Sequence, residues 1–142
     1  MPSVIVDASL AVRLVIDEPG SAEAQAKWTE WKQEQVSIAA PTLLVYEAVN
    51  GLHQAWRGGF LTADELTQSL VLLIGFPIRY HEPLSLANRA TQLARDLQLG
   101  ATYDSFYIAL AEALRCEFWT GDKRLYNNIH KRVTFVRSLW ED

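Results

Sequence analysis

Residues 3–9 read Ser3-Val4-Ile5-Val6-Asp7-Ala8-Ser9, a short apolar run that stops on a carboxylate. A run without polar alternation has the pattern of a strand covered on both faces, and such strands belong to parallel sheets. The signature returns late in the chain, where Glu117 to Thr120 lead into Gly121-Asp122. Further strands are predicted at 36–40, 78–81 and 133–136. Apolar spacing and punctuation by residues such as Thr62, Glu65 and Pro77 predict helices at 9–17, 21–34, 41–57, 62–75, 85–97, 104–114 and 123–129. Ser21 is a candidate cap for the second helix, and Pro41 a candidate first-turn residue of the third. Strands alternating with helices imply an α/β domain with a parallel sheet and right-handed crossovers, a three-layer α/β/α arrangement spanning residues 1–142.

Composition agrees. With 142 residues, 49% of them hydrophobic and 21% charged, the chain is long enough to bury a core and too apolar to be disordered. A net charge of −4 excludes a basic whole-molecule field, so any nucleic-acid partner must be held by a local patch. The lone Cys116 excludes an intrachain disulfide and a zinc cluster, and its apolar neighbours suggest a buried small side chain. No cationic leader and no apolar run near the roughly 18 residues of a membrane span are present, so a cytoplasmic protein is expected.

In an open parallel sheet, ligands bind beyond the carboxyl ends of the strands, which is where Asp7 and Asp122 fall. Glu47, with Asn50 three positions on, interrupts the apolar stretch of the third helix, and Asp104 begins the most apolar helix of all. Each acid has a plainer use. Asp7, Asp104 and Asp122 suit helix caps or turns, and Glu47 suits an ion pair with Arg13 or Arg57. Taken together, four clustered carboxylates repel one another unless a cation neutralises them. An all-oxygen set favours Mg²⁺ or Mn²⁺, and the chemistry such ions serve is phosphodiester hydrolysis.

The motifs Val6-Asp7-Ala8-Ser9, Tyr46-Glu47-Ala48-Val49-Asn50, Asp104-Ser105-Phe106-Tyr107-Ile108-Ala109-Leu110-Ala111 and Trp119-Thr120-Gly121-Asp122, in that order, resemble the PIN-domain ribonucleases, most closely the VapC toxins of toxin–antitoxin pairs. The resemblance covers essentially the whole chain. It implies a PIN-like fold and a divalent-metal-dependent endoribonuclease. By the same resemblance Asp7, Glu47, Asp104 and Asp122 form the metal-binding catalytic quartet, Ser9 and Thr120 its supporting hydroxyls, and Asn50 a polar neighbour. It further implies a VapB-like antitoxin partner and a homodimer. Two departures stand beside the last acid: Gly121, where many relatives have Asn, and Lys123-Arg124-Leu125, where an Asp-Phe ending is common. They bear on substrate preference.

From Lys123 to Trp140 the chain carries five basic residues and no acid. Lys123, Arg124, Lys131 and Arg132 are the candidate RNA-binding residues, with Tyr126 as a stacking face. Trp28 and Trp31 on an acidic helix, with Trp56 and Phe60 near a turn, are the candidates for an exposed apolar groove that takes a partner. His53, His81 and His130 are scattered without ligand spacing. The rivals are a haloacid dehalogenase-type phosphatase, which needs a second Asp where Ser9 stands, a signal receiver, which needs an early acidic pair, and a catalytically inactive binding module.

Overall fold

The computed structural model describes residues 2–141. Five strands, β1 (Ser3–Val6), β2 (Ser37–Pro41), β3 (Ile78–His81), β4 (Glu117–Thr120) and β5 (Val136–Ser138), form one sheet in the order β3-β2-β1-β4-β5. Every pairing is parallel, and Ile5 lies opposite both Ala39 and Phe118. The chain builds outward from β1 to β3 on one side, then returns across to place β4 against β1. The switch in strand order therefore falls between β1 and β4, the two strands that end near Asp7 and Asp122.

Seven helices cover the sheet: α1 (Ala8–Arg13), α2 (Ser21–Gln33), α3 (Leu43–Arg57), α4 (Ala63–Gly75), α5 (Ala87–Asp96), α6 (Tyr103–Leu114) and α7 (Lys123–Ile129). The result is an α/β/α fold. Helix α6 is apolar nearly all round because it lies on the sheet, with Tyr107, Ile108 and Ala111 wholly buried beside β1, β2 and β4. Tyr107 stacks on Phe118 of β4 with ring centroids 5.8 Å apart. Among the described residues, no helix is long and apolar enough to cross a membrane.

Several boundaries differ from expectation. Pro41 ends β2 instead of opening α3, because Thr42 N–H bonds to the His81 carbonyl and prolongs the strand pairing. Ser21 does not cap α2. Gly20 takes the cap position with φ of 96°, and the Ser21 hydroxyl instead donates to the Ile16 carbonyl. Helix α1 stops at Arg13, and a short 3-10 turn at Leu84–Leu86 precedes α5. The last strand begins at Val136, since Val133 N–H is still bonded to the Ile129 carbonyl in the turn after α7. Thr62 and Glu65 do form the expected capping box. Cys116 is only partly buried, and burial pushes its thiol pKa up.

The tryptophan pair is a correction. Trp28 and Trp31 are 6% and 4% exposed, so they cannot form a surface groove. Their spacing put them on one face of α2, and that face is covered: Trp28 packs on Phe76 at 5.0 Å and Trp31 edge-on to Trp119 at 5.6 Å. Trp31→Ala is therefore expected to cost about 3–5 kcal/mol of folding stability, as large aromatic truncations in cores do. Urea unfolding checks this, and a loss under about 1 kcal/mol would mean that the indole is not a core group.

Candidate active site

At the switch point the carboxylate of Asp7 is almost wholly buried, 5% exposed, and completely bonded. Its Oδ1 accepts from Leu10 N–H at 3.0 Å, capping α1, and from the Ser9 hydroxyl at 2.6 Å. Its Oδ2 accepts from the Thr120 hydroxyl at 2.5 Å, across from the end of β4. The same two hydroxyls then accept backbone donors of the next loop, Ser9 from Gly121 N–H at 2.9 Å and Thr120 from Asp122 N–H at 3.0 Å. Ser9 and Thr120 thus fasten the end of β1 to the loop carrying Asp122. Burial raises the Asp7 pKa to about 6, its three hydrogen bonds working against that rise and the Asp122 charge adding to it.

The other acids line one open cavity of about 420 Å³ that contains Glu47, Asp104, Asp122 and Arg124. Asp122 caps α7, its Oδ1 accepting from Leu125 N–H at 3.0 Å, and is otherwise exposed. Glu47 makes neither expected ion pair among the described residues. Its Oε1 accepts instead from the Tyr107 hydroxyl at 2.6 Å. Asp104 caps nothing, since α6 has no side-chain cap. Its carboxyl pKa is raised to about 6, first by desolvation and then by the charges of Asp7, Glu47 and Asp122. Asp104 thus feels the charge of the other three acids and Asp7 that of Asp122, and Asp7 and Asp122 also cap helices α1 and α7.

An all-oxygen donor set with repelling charges suits a hard divalent cation. Among the described residues, no three acid, His or Cys side chains stand close enough to cage an ion unaided. Mg²⁺ does not require such a cage, because it keeps several waters and shares its coordination with substrate phosphates. The residues present therefore fit the ion, with Asp104, Asp122 and Glu47 each offering an oxygen that no protein donor occupies among the described residues.

Asn50 is exposed and lines neither this cavity nor its neighbours. Lys123 and Arg124 stand beside Asp122, whereas Lys131 and Arg132 lie past the far end of α7 and away from the acids. Tyr126 donates to Glu141 and stacks on His130 at 4.8 Å, so that face of its ring is taken. Trp56 and Phe60 are exposed, and Phe60 lines an apolar cavity that reaches Glu47. Sequence reasoning missed Tyr107 as a partner of Glu47. Its position three residues after Asp104 in an otherwise apolar helix was the available signal, since a buried phenol needs an acceptor.

A parallel sheet with acids gathered at its switch point is the architecture of metal-dependent phosphoryl chemistry, and comparison with known families narrows the class. The PIN domain matches residues 4–131, and the chain belongs to that family. Within it, the chain is 30% identical over 133 residues to Ribonuclease VapC3 of Pyrobaculum aerophilum, covering 92% of this chain and 97% of that one. Solved structures share the fold at lower identity. PAE2754 from Pyrobaculum aerophilum superposes with a TM-score of 0.69 at 20% identity, covering 97% of this chain and 90% of the other. VapBC2 from Rickettsia felis, bound to a DNA fragment from their promoter, has a TM-score of 0.69 at 10% identity, covering 96% and 98%.

Proposed function

We propose that the domain is a divalent-metal-dependent endoribonuclease, using Mg²⁺ or Mn²⁺, and the toxin of a VapBC-type pair. The observation that carries this reading is the gathering of Glu47, Asp104 and Asp122 on one cavity that holds a single cation, Arg124, with the charges of Asp7, Glu47 and Asp122 all raising the pKa of Asp104. When bound, a divalent cation supplies Lewis-acid stabilisation of the phosphate and an activated water. Asp104 and Asp122 would hold the ion with their unbonded oxygens. The Tyr107 hydroxyl occupies one oxygen of Glu47 and so turns the other towards the cavity. Asp7, locked by Ser9, Thr120 and Leu10, adds negative potential at Asp104 and ties the end of β1 to that of β4. All four acids are present, which argues against an inactive binding module.

Restraint by a small partner protein is part of this reading. With Trp28 and Trp31 in the core, the surface that suits an apolar segment is the cavity of about 740 Å³ lined by Val12, Ile16, Ala55 and Phe60 and open to Glu47. A basic side chain following that segment would reach the acids. The VapBC2 neighbour supports a partnered role.

Cleavage mapping on total cellular RNA tests the proposal. Discrete cuts are expected with Mg²⁺ or Mn²⁺ and none once the ion is chelated. Equal cutting in chelator would overturn the metal mechanism, and no cutting with either ion would overturn the nuclease reading.

A further inference from the structure

Beside the acid cavity, and sharing Asp122 and Arg124 with it, lies a second cavity of about 430 Å³ whose wall also holds Arg13, Gly121, Lys123 and Trp140. The two have opposite charge: three acids and one cation in the first, three cations and one acid in the second. We propose that the second cavity is a phosphate subsite that grips the RNA backbone next to the cleavage position, a proposal that rests on the ribonuclease reading above.

The cations are gathered by construction. The Trp140 indole N–H donates to the Gly121 carbonyl at 2.8 Å, fixing the ring against the loop that carries Asp122. Lys123 Nζ then sits 4.2 Å from the centre of that ring, and the Arg13 guanidinium carbon 5.7 Å from it. Arg13 is aimed from behind by two carbonyls, Nη1 donating to Ser9 and Nε to Pro19, both at 2.8 Å. Its sole carboxylate neighbour among the described residues is Glu18 at 3.7 Å, and Lys123 and Arg124 have none within ion-pair distance. Two like charges over one indole repel, and the ring quadrupole offsets only part of that. A phosphate offsets the rest, and a guanidinium fork with an ammonium is the donor set it prefers.

Two glycines make room for this arrangement. A Cβ on Gly121 would stand 3.0 Å from Arg13 Nη1 and 3.3 Å from its Cδ and Cζ. Gly121 does not have a left-handed φ, so its backbone would accept a side chain, and it is the Arg13 head that would have to shift to admit one. A Cβ on Gly20 would stand 2.8 Å from both Arg13 Nε and the Trp140 ring. Glycine at both positions thus leaves the guanidinium its seat without displacement.

Phosphate contacts position a strand without reading its sequence, so a short fluorescein-labelled oligouridylate serves as probe. Its affinity is measured by anisotropy over a salt series, in parallel with calorimetric titration of Mn²⁺ alone. Lys123→Gln and Arg13→Gln are each expected to weaken RNA binding about tenfold at low salt and to lower the salt slope by about 0.7 per lost contact. Gly121→Ala, which displaces the flexible Arg13 head, is expected to weaken it a few-fold. Mn²⁺ affinity should not fall in any of the three, and Lys131→Gln, off both cavities, should bind RNA like the wild type. Unchanged affinity and slope in both Lys123→Gln and Arg13→Gln, or no binding by the wild type at low salt, would overturn the subsite. Weakened binding in those variants together with a wild type that never cuts RNA would uphold the subsite and overturn the nuclease.

Discussion

Asp104→Asn is expected to lower metal-dependent RNA cleavage by about a hundred- to a thousandfold or more while leaving a cooperatively folded protein. Nothing structural depends on this carboxylate. It caps no helix and is half-buried, and its charge is opposed by those of Asp7, Glu47 and Asp122. An amide of the same shape removes that repulsion together with a ligand for the ion. The metal-free variant should therefore melt at a temperature no lower than the wild type, and the rise in melting temperature that Mn²⁺ gives the wild type should shrink. Gel-resolved cleavage and thermal melts with and without Mn²⁺ measure both effects. Activity within a few-fold of wild type would remove Asp104 from the mechanism.

The second large effect is on stability, and its sign follows from the buried acid. The Asp7 carboxyl titrates near 6 in the folded protein against 3.8 when unfolded, so between those values the folded state holds a proton that the unfolded chain has released. The contribution of this group to stability without metal is thus full below about pH 4 and is lost as pH rises through 6, about 3 kcal/mol in all. Asp104 acts in the same direction, less strongly because it is partly exposed to solvent. Glu112, held below its ordinary range by Arg89, acts in the opposite direction from the surface.

Asp7→Asn isolates the buried contribution. The amide oxygen can accept from Leu10 N–H and the Ser9 hydroxyl, and the amide nitrogen can donate to Thr120. The Thr120 hydroxyl then turns to Ser9, which lies 3.3 Å away, and every partner is kept. Urea unfolding in chelator between about pH 4 and 7 should show the slope in wild type and a flatter profile in the variant. Mn²⁺ at neutral pH should stabilise wild type more than the variant, which keeps the ligands Asp104 and Asp122 but has lost the potential of Asp7. A wild-type profile as flat as the variant's would mean that Asp7 stays charged throughout.

Much of the site was legible because each acid broke a local pattern. Asp7 and Asp122 end apolar strands, and Glu47 and Asp104 interrupt apolar helices, so four anomalies could be read from spacing alone. Whether they met was another matter. Asp7 and Asp122 stand 115 positions apart, and their convergence depends on β4 returning to lie against β1, which strand periodicity does not encode. The failures have the same origin. Spacing placed Trp28 and Trp31 on one face of α2 but could not tell that Phe76 and Trp119 cover it. Tyr107 read as core until α3 brought the Glu47 carboxylate to its hydroxyl.

What the sequence by itself determined is therefore the set of elements, the parallel α/β class and the identity of the acids, because helix and strand periods and charge–hydropathy conflicts are short-range properties of the chain. What only the tertiary structure decided is which faces are covered and which charges meet. Arg13, Gly20, Gly121, Lys123 and Trp140 form one cationic seat from four separate stretches of chain; the sequence marked Lys123 and Gly121 singly, but no local pattern joins them to Arg13, Gly20 or Trp140. Their meeting is fixed by the β1–β4 junction and by close packing around it, where a Cβ at Gly121 would crowd the guanidinium and one at Gly20 both the guanidinium and the indole.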